Sequence, residues 1–486
     1  VVFTVSSWQV FFTSLFILIK ATLWFVFIGH YHGAQSGEFM QINQFMNIKF
    51  MRICVWVLFI TQCASLVFAD EPNTEEWNAK FQSTYIWQEK PAFNAQYSGH
   101  NSLSADKEYS YSFTATAALG VRLWDGAELY LDPELAQGVP FSNLTGLGGY
   151  PNGEMARTSG PELTAYRARL FLRQTWNQGG EQEAVDSAAN QLAGNVDTHR
   201  WVLTLGNLSV TDIFDNNSYN HDPRTQFLNW SLMTYGAYDF AADARGYTRG
   251  VALEWYNGNW VARVGRFLEP LQPNQQLLDS DFLHHYGDQI ELENSFTLND
   301  EPGKFRVLAF RNKMKMSLYQ DALALAEETQ ALPDINLVRH GDQIKCGVGI
   351  NLEQAITHDL GLFGRVTWAD GATETYAFTE IDRSLSVGVL LQGTAWNREN
   401  DHIGLALVTN NLSKLHKQYL ENGGLGFFIG DGQLDYRPEN IAEGFYSLSL
   451  FSQSSLSLDY QYIANPAYNA ARGPAMVYSV RMHTEF

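Results

Sequence analysis

The stretch that decides the fold is Tyr109–Gln137, YSYSFTATAALGVRLWDGAELYLDPELAQ. On its first arm Tyr109, Tyr111, Phe113, Ala115, Ala117, Leu119, Val121 and Leu123 alternate with small or polar residues. A period of two held over fifteen residues is a β-strand with two chemically distinct faces. After Trp124-Asp125-Gly126 a second arm begins, in which Ala127, Leu129 and Leu131 alternate with Glu128, Tyr130 and Asp132. A three-residue turn ending on Gly126 at positive φ pairs Leu123 with Ala127, Val121 with Leu129 and Leu119 with Leu131. All the apolar residues then share one face, and Arg122 lies opposite Glu128 on the other. A two-residue turn would mix the faces. The arm exceeds the roughly 5–6 residues of an ordinary strand and suits a tilted membrane strand of about 9–11 residues with extra length beyond the bilayer.

The pattern recurs along the chain. Arg249–Phe267 reads as a second hairpin, with Asn257-Gly258 as a two-residue type I′ turn that pairs Trp255 with Trp260 and Val251 with Val264. Sixteen strands are expected in all, from Lys80–Glu89 to Ala475–Phe486. Short connections, such as Trp124–Gly126 and Asn299–Pro302, alternate with long ones at 138–162, 212–245, 317–343 and 412–442. Short periplasmic turns and long external loops define a transmembrane antiparallel β-barrel of the outer membrane. The connection 178–198 is long on the short side, and its Glu181–Asn190 stretch is a candidate helix. The last strand places Met476, Tyr478, Val480, Met482, Thr484 and Phe486 on one face, an ending of the kind read by the bacterial barrel-assembly machinery.

The 486 residues carry a net charge of −20. That argues against a nucleic-acid partner and fits a soluble-facing exterior or an ion-rich lumen. Met46–Arg52 supplies a basic start, Ile53–Ile60 an apolar core and Val67-Phe68-Ala69 a cleavage site. Residues 46–69 are therefore a signal peptide, 70–486 the barrel, and 1–45, with its apolar Val10–Ile28, an upstream extension absent from the natural product. Cys54 and Cys63 fall in the signal; Cys346, among Val348, Ile350 and Leu352, reads as a small apolar strand residue.

Several stretches resemble the carbohydrate-selective porins of the OprB family. They are LGVRLWDGAELY (Leu119–Tyr130), YRARLFLRQTW (Tyr166–Trp176), HDPRTQFLNW (His221–Trp230), AADARGY (Ala241–Tyr247) and HYGDQ (His285–Gln289). The resemblance runs from about Phe81 to Phe486. It implies a sixteen-stranded outer-membrane barrel that admits small sugars by passive diffusion.

The candidate pore residues come from the face pattern. Arg167, Arg169 and Arg173 alternate with Ala168, Leu170 and Leu172, and guanidinium groups facing lipid near the midplane cost on the order of 2–4 kcal/mol each. Together with Arg122 they are assigned to the lumen, opposite Glu128, Asp132 and Glu134. Such groups can hydrogen-bond sugar hydroxyls or merely neutralise one another on a wet wall. A loop folded into the barrel would tighten the pore. The first nominee is 212–245, with Asp222, Arg224, Trp230, Tyr235 and Tyr238, and the second is 138–162. His221-Asp222 and His284-His285 lack metal-ligand spacing, no cofactor is expected, and no Gly-x-Ser-x-Gly elbow marks a hydrolase. The competing readings are a barrel that exports an anionic polysaccharide and a barrel lipid hydrolase.

Overall fold

A computed structural model describes residues 74–157 and 160–486. The expected signal peptide and upstream extension, with Cys54 and Cys63, lie outside the described residues. The first arm of the opening stretch is β2 (Glu108–Trp124), which follows β1 (Trp77–Lys90) and leads to β3 (Ala127–Val139) and β4 (Thr164–Asn177). After a short hairpin, β5 (Gln182–Val185) with β6 (Gly194–Asp197), come β7 (His199–Leu208), β8 (Thr248–Asn257), β9 (Trp260–Phe267), β10 (Tyr286–Leu298) and β11 (Glu301–Lys315). The circuit is completed by β12 (Asp342–Thr357), β13 (Leu360–Ala369), β14 (Arg383–Gly393), β15 (Arg398–Asn411), β16 (Glu439–Phe451), β17 (Ser454–Ala464) and β18 (Ala475–Glu485). Every barrel strand is antiparallel to its sequential neighbour, β4 pairs directly with β7, and β18 returns to β1. Sixteen strands thus close on themselves, which leaves no sheet edge unpaired in lipid. The closure is finished by Phe81 and Phe486, which exchange backbone hydrogen bonds of 2.8 and 3.0 Å.

The wall has the two faces that the sequence pattern requires. Leu119, Val121, Val264, Ile290, Val348, Leu405 and Leu407 point outward, Leu407 at 61% exposure. Trp77, Trp124, Trp176, Trp260 and Phe451 form an exposed belt at the short-turn end, and Tyr109, Trp368, Tyr460 and Tyr478 one at the other. Aromatic girdles of this kind flank the apolar band of outer-membrane barrels.

Three details depart from expectation. In the first hairpin Arg122 pairs with Glu128 and Val121 with Leu129 as expected, but Trp124 pairs with Ala127, and a register shift leaves Leu123 unpaired. Gly126 takes φ 71° as required. In the second hairpin Asn257 pairs with Trp260, so the turn is Gly258-Asn259, and Trp255 pairs with Ala262 rather than Trp260. Gly258 has φ 60°, and a glycine at the first central position is the signature of a type II′ turn. The register moves by two residues, so the faces survive: Glu254 and Arg263 still fall inside, and the shift makes them cross-strand partners, at 3.0 Å. Finally, the expected helix within 181–190 is instead the β5–β6 hairpin. Its connecting segment reaches the barrel wall, where Asn190 donates to Asp132 at 2.9 Å and Arg173 donates to the Asn190 carbonyl at 2.9 Å.

The barrel interior is filled by loops. Residues of 140–157, 209–247, 372–382 and 412–438 share one apolar cluster with inward wall residues such as Phe171, Phe310, Phe363 and Phe445. Small elements stiffen them: α1 (Trp230–Met233), capped by the Asn229 side chain, α2 (Tyr319–Thr329) and α3 (Lys414–Glu421). Buried backbone N–H groups need acceptors, and carboxylates supply them. Asp239 accepts from the amides of Tyr376, Ala377 and Phe378 at 2.7–2.9 Å and from Lys345 at 3.0 Å. Glu443 on β16 accepts from Leu228 and Asn229, and Glu439 from Gly148 and Gly149. Much of the acidic excess is therefore structural.

Candidate functional site

The infolded loops leave a cavity of about 270 Å³ between segments 153–157 and 209–247 and the wall of β2, β3 and β4. Glu134, Glu154, Asp212 and Asp222 line it together with Arg157, Arg169, Arg224 and Arg245. Tyr166, Trp230, Phe240, Tyr247 and Phe378 supply the aromatic part of the lining. Four carboxylates thus face four guanidinium groups, with rings between them.

Each charge is held in place. Arg169, on β4, reaches Asp212 through two hydrogen bonds of 2.7 Å and Asp132 at 3.3 Å. Asp212 closes a 3-10 turn, Val210–Asp212, by accepting from the Ser209 amide at 2.9 Å. Arg224 bonds Glu154 at 2.9 Å and lies 3.5 Å from Glu134. Glu134 also accepts from the hydroxyls of Thr116, Tyr166 and Tyr247. Arg245 lies over the Tyr166 ring at 4.3 Å and Arg169 over Tyr247 at 5.3 Å. Trp230 is fixed by its indole N–H to the Asn152 carbonyl at 2.9 Å and packs on Phe378. Burial opposes ionisation of Asp212 and Asp222, but the charges of Arg169 and Arg224 outweigh it and hold both below the usual carboxylate range. At Glu154 burial prevails over Arg224, and its pKa is raised.

The residues singled out from the sequence separate into groups. Glu134, Arg169, Asp222, Arg224 and Trp230 line the cavity. Asp132 stands just behind Arg169, fully buried. Arg122 and Glu128 form the expected cross-strand pair at 3.2 Å, near the periplasmic turn and apart from the cavity. Arg173 faces inward but is occupied by Asn190 and lies over the Tyr130 and Phe171 rings at 5.3 Å. Tyr238 is fully buried against Tyr235 and Phe310, outside the cavity.

Arg167 overturns its assignment. Asp132 pairs with Arg169 and Pro133 with Arg167, so Ala168 is the extra residue of a bulge. Pro133 has no N–H to give the ladder, which favours a bulge at that point. The Ala168 carbonyl takes a hydrogen bond from the Asn207 side chain instead, at 2.5 Å. Beyond the bulge the faces exchange. Tyr166 and Ala168, expected outside, turn inward, and Arg167 is exposed on the outer wall.

Sequence reasoning missed Glu154, Arg157, Asp212, Tyr166, Arg245 and Tyr247. The proline in β3 was a usable signal for Tyr166. The loop residues carried none, because a loop's path is set by what it packs against.

A closed sixteen-strand barrel with an apolar outer band and a narrow charged lumen is a porin-type outer-membrane channel. The family model described as "Carbohydrate-selective porin, OprB family" matches residues 100–486, and the chain belongs to this family. No curated protein matches by sequence. Among solved structures, Pseudomonas putida OprB in its high-pH structure is 16% identical, covering 85% of this chain and 94% of its own, with a TM-score of 0.63. The low-pH structure of that protein is 13% identical over 86% of this chain and 100% of its own, with a TM-score of 0.45. The outer-membrane channel DcaP of Acinetobacter baumannii is 8% identical over 86% and 99%, at 0.47. The protein is thus a bacterial outer-membrane porin that passes sugars by diffusion.

Proposed function

We propose that small neutral sugars are selected at the cavity between Arg169–Asp212 and Arg224–Glu154. One observation carries this reading: four arginines and four carboxylates line the same space, interleaved with five aromatic rings. Guanidinium donates and carboxylate accepts hydrogen bonds along fixed directions, which suits hydroxyl groups. Aromatic faces suit the apolar face of a pyranose. A balanced ring gives no net field to favour an ion, whereas exclusion of ions by charge needs a ring of one sign.

The test is liposome swelling with a graded sugar series, alongside single-channel recording. Sugar-dependent swelling and sugar block of a weakly ion-selective current are expected. Marked anion preference would favour export of an anionic polysaccharide, and lipid turnover without conductance would favour a barrel hydrolase. The mature chain is proposed to start at Asp70, which N-terminal sequencing of outer-membrane material checks. Recognition by the barrel-assembly machinery is proposed to run through the last strand and Phe486.

A further inference from the structure

Most outward side chains on the wall are apolar, but β8 to β11 carry a cationic patch at their extracellular ends. Arg311, Lys313 and Lys315 occupy alternate positions of β11, all on the outer face. Arg266 on β9 and Arg311 both stand opposite Asp288 of β10. Arg249 on β8, exposed, lies two residues beyond Val251, the cross-strand partner of Arg266. Three of these five cations are ion-paired, with Asp288 or Asp342. Asp288 holds Arg266 at 2.7 and 2.9 Å and Arg311 at 2.6 Å. Asp342 pairs with Lys313 at 3.2 Å and with His285 at 3.2 Å, and His285 also meets Asp279. The Tyr286 ring supports Arg266 at 3.7 Å and Arg311 at 5.4 Å. Arg249 has no charged or hydrogen-bonding side-chain partner among the described residues.

The height of the patch says what it meets. Directly below it, Ile290 pairs with Val264 and Ala309 in the outward row, and Ile290 is 57% exposed to lipid. Two strand residues span about 7 Å, so the cations stand at the boundary between hydrocarbon and headgroups. Asp288 and Tyr286 fix two guanidinium groups while leaving N–H donors unused, since each guanidinium has five. Fixed arginines beside lysines match phosphate oxygens. Five outward cations gathered across four adjacent strands stand out on a chain with net charge −20.

We propose that the outer face of β8–β11, through Arg249, Arg266, Arg311, Lys313 and Lys315, binds the phosphate groups of an outer-leaflet glycolipid. The site faces away from the lumen, so its ligand comes from the membrane and not from the permeating stream. It rests on the barrel's membrane location alone and is independent of the pore.

The experiment is native mass spectrometry of the detergent-purified barrel with bis-phosphorylated lipid A, compared with the same lipid lacking its phosphates. Wild type should retain the phosphorylated form at least about tenfold better, a difference of about 1.4 kcal/mol. Arg249→Gln breaks no ion pair in the fold and should lower retention about threefold. The triple variant Arg311→Gln, Lys313→Gln, Lys315→Gln should abolish the preference for phosphates. Heat-modifiable migration and single-channel conductance, unchanged in Arg249→Gln, certify the folded pore. Equal retention of the two lipids by wild type would overturn the proposal, as would equal retention by wild type and Arg249→Gln. Displacement by millimolar inorganic phosphate would also overturn it, by showing a site for free anions. So would a change of oligomeric mass, instead of lipid retention, in the triple variant, since the patch would then be a contact between barrels.

Discussion

At Arg167 and Arg169 the same side chain, two positions apart, meets opposite surroundings. Arg169 is clamped to Asp212 inside the pore, and Arg167 stands on the outer wall past the bulge opposite Pro133. Arg169→Ala should therefore shift ion selectivity toward cations by about threefold, equivalent to less than 1 kcal/mol, and weaken sugar block of the current. Arg167→Ala should leave both unchanged. Reversal potentials and single-channel block on the two purified variants measure the contrast, and an equal effect of the two would place both side chains in the lumen. Arg224→Ala should resemble Arg169→Ala, because Glu154 and Glu134 then face the pore without their cation.

Among elements, the long segment 209–247 is the one whose position makes the channel narrow, and carboxylates pin it. Asp239 is buried, which disfavours its charge, but Lys345 and the amides of Tyr376 and Ala377 prevail and depress its pKa. A depressed carboxylate contributes stability that is complete above the unfolded pKa of about 3.9 and is lost as pH falls through the folded value. The anchor should therefore hold at pH 6, begin to weaken below about pH 4, and fail once acid passes the depressed folded value. Planar-bilayer recordings should show larger, noisier conductance in that acid range, whereas a quiet, unchanged current down to the lowest pH at which the barrel stays folded would sink the idea. Asp239→Asn leaves Lys345 buried without its carboxylate, a loss of about 3–5 kcal/mol for a broken buried pair. That variant should show the acid-like conductance already at pH 6.

On the scale of the whole molecule, the barrel encloses a packed core of loops, and Glu269 is its outlying cost. Both its carboxylate oxygens are buried without a hydrogen-bond partner. Burial, with Asp239 adding to it, pushes its pKa well above the ordinary value. A raised carboxyl favours folding at low pH, and that advantage is lost as pH rises from the unfolded pKa toward the folded one. Over that window the loss approaches about 1.4 kcal/mol per pH unit. Glu269→Gln should accordingly raise the thermal transition at pH 8 while changing it little at pH 5. Heat-modifiability curves at the two pH values read this directly; an equal effect at both would mean that Glu269 is charged throughout.

The alternation along Tyr109–Gln137 and its repeats determined the barrel without any structure. Lipid and water demand opposite chemistry on the two faces of a strand, and a period of two records that demand locally. The strand number, the alternation of short and long connections and the Arg122–Glu128 register were legible for the same reason. A slip of two residues at Gly258 preserved the faces, so composition alone could not reveal it. Tertiary structure decided the pore. The bulge at Ala168, prompted by Pro133, sent Arg167 outward and Tyr166 inward. Segment 209–247 brought Asp212, Arg224 and Tyr247 against Glu134 and Arg169, in contacts that span 43 to 113 positions of sequence, and Arg245 over Tyr166. Their meeting depends on where backbone N–H groups of the loops find Asp239, Glu439 and Glu443, and such distant pairings leave no periodic trace in the chain.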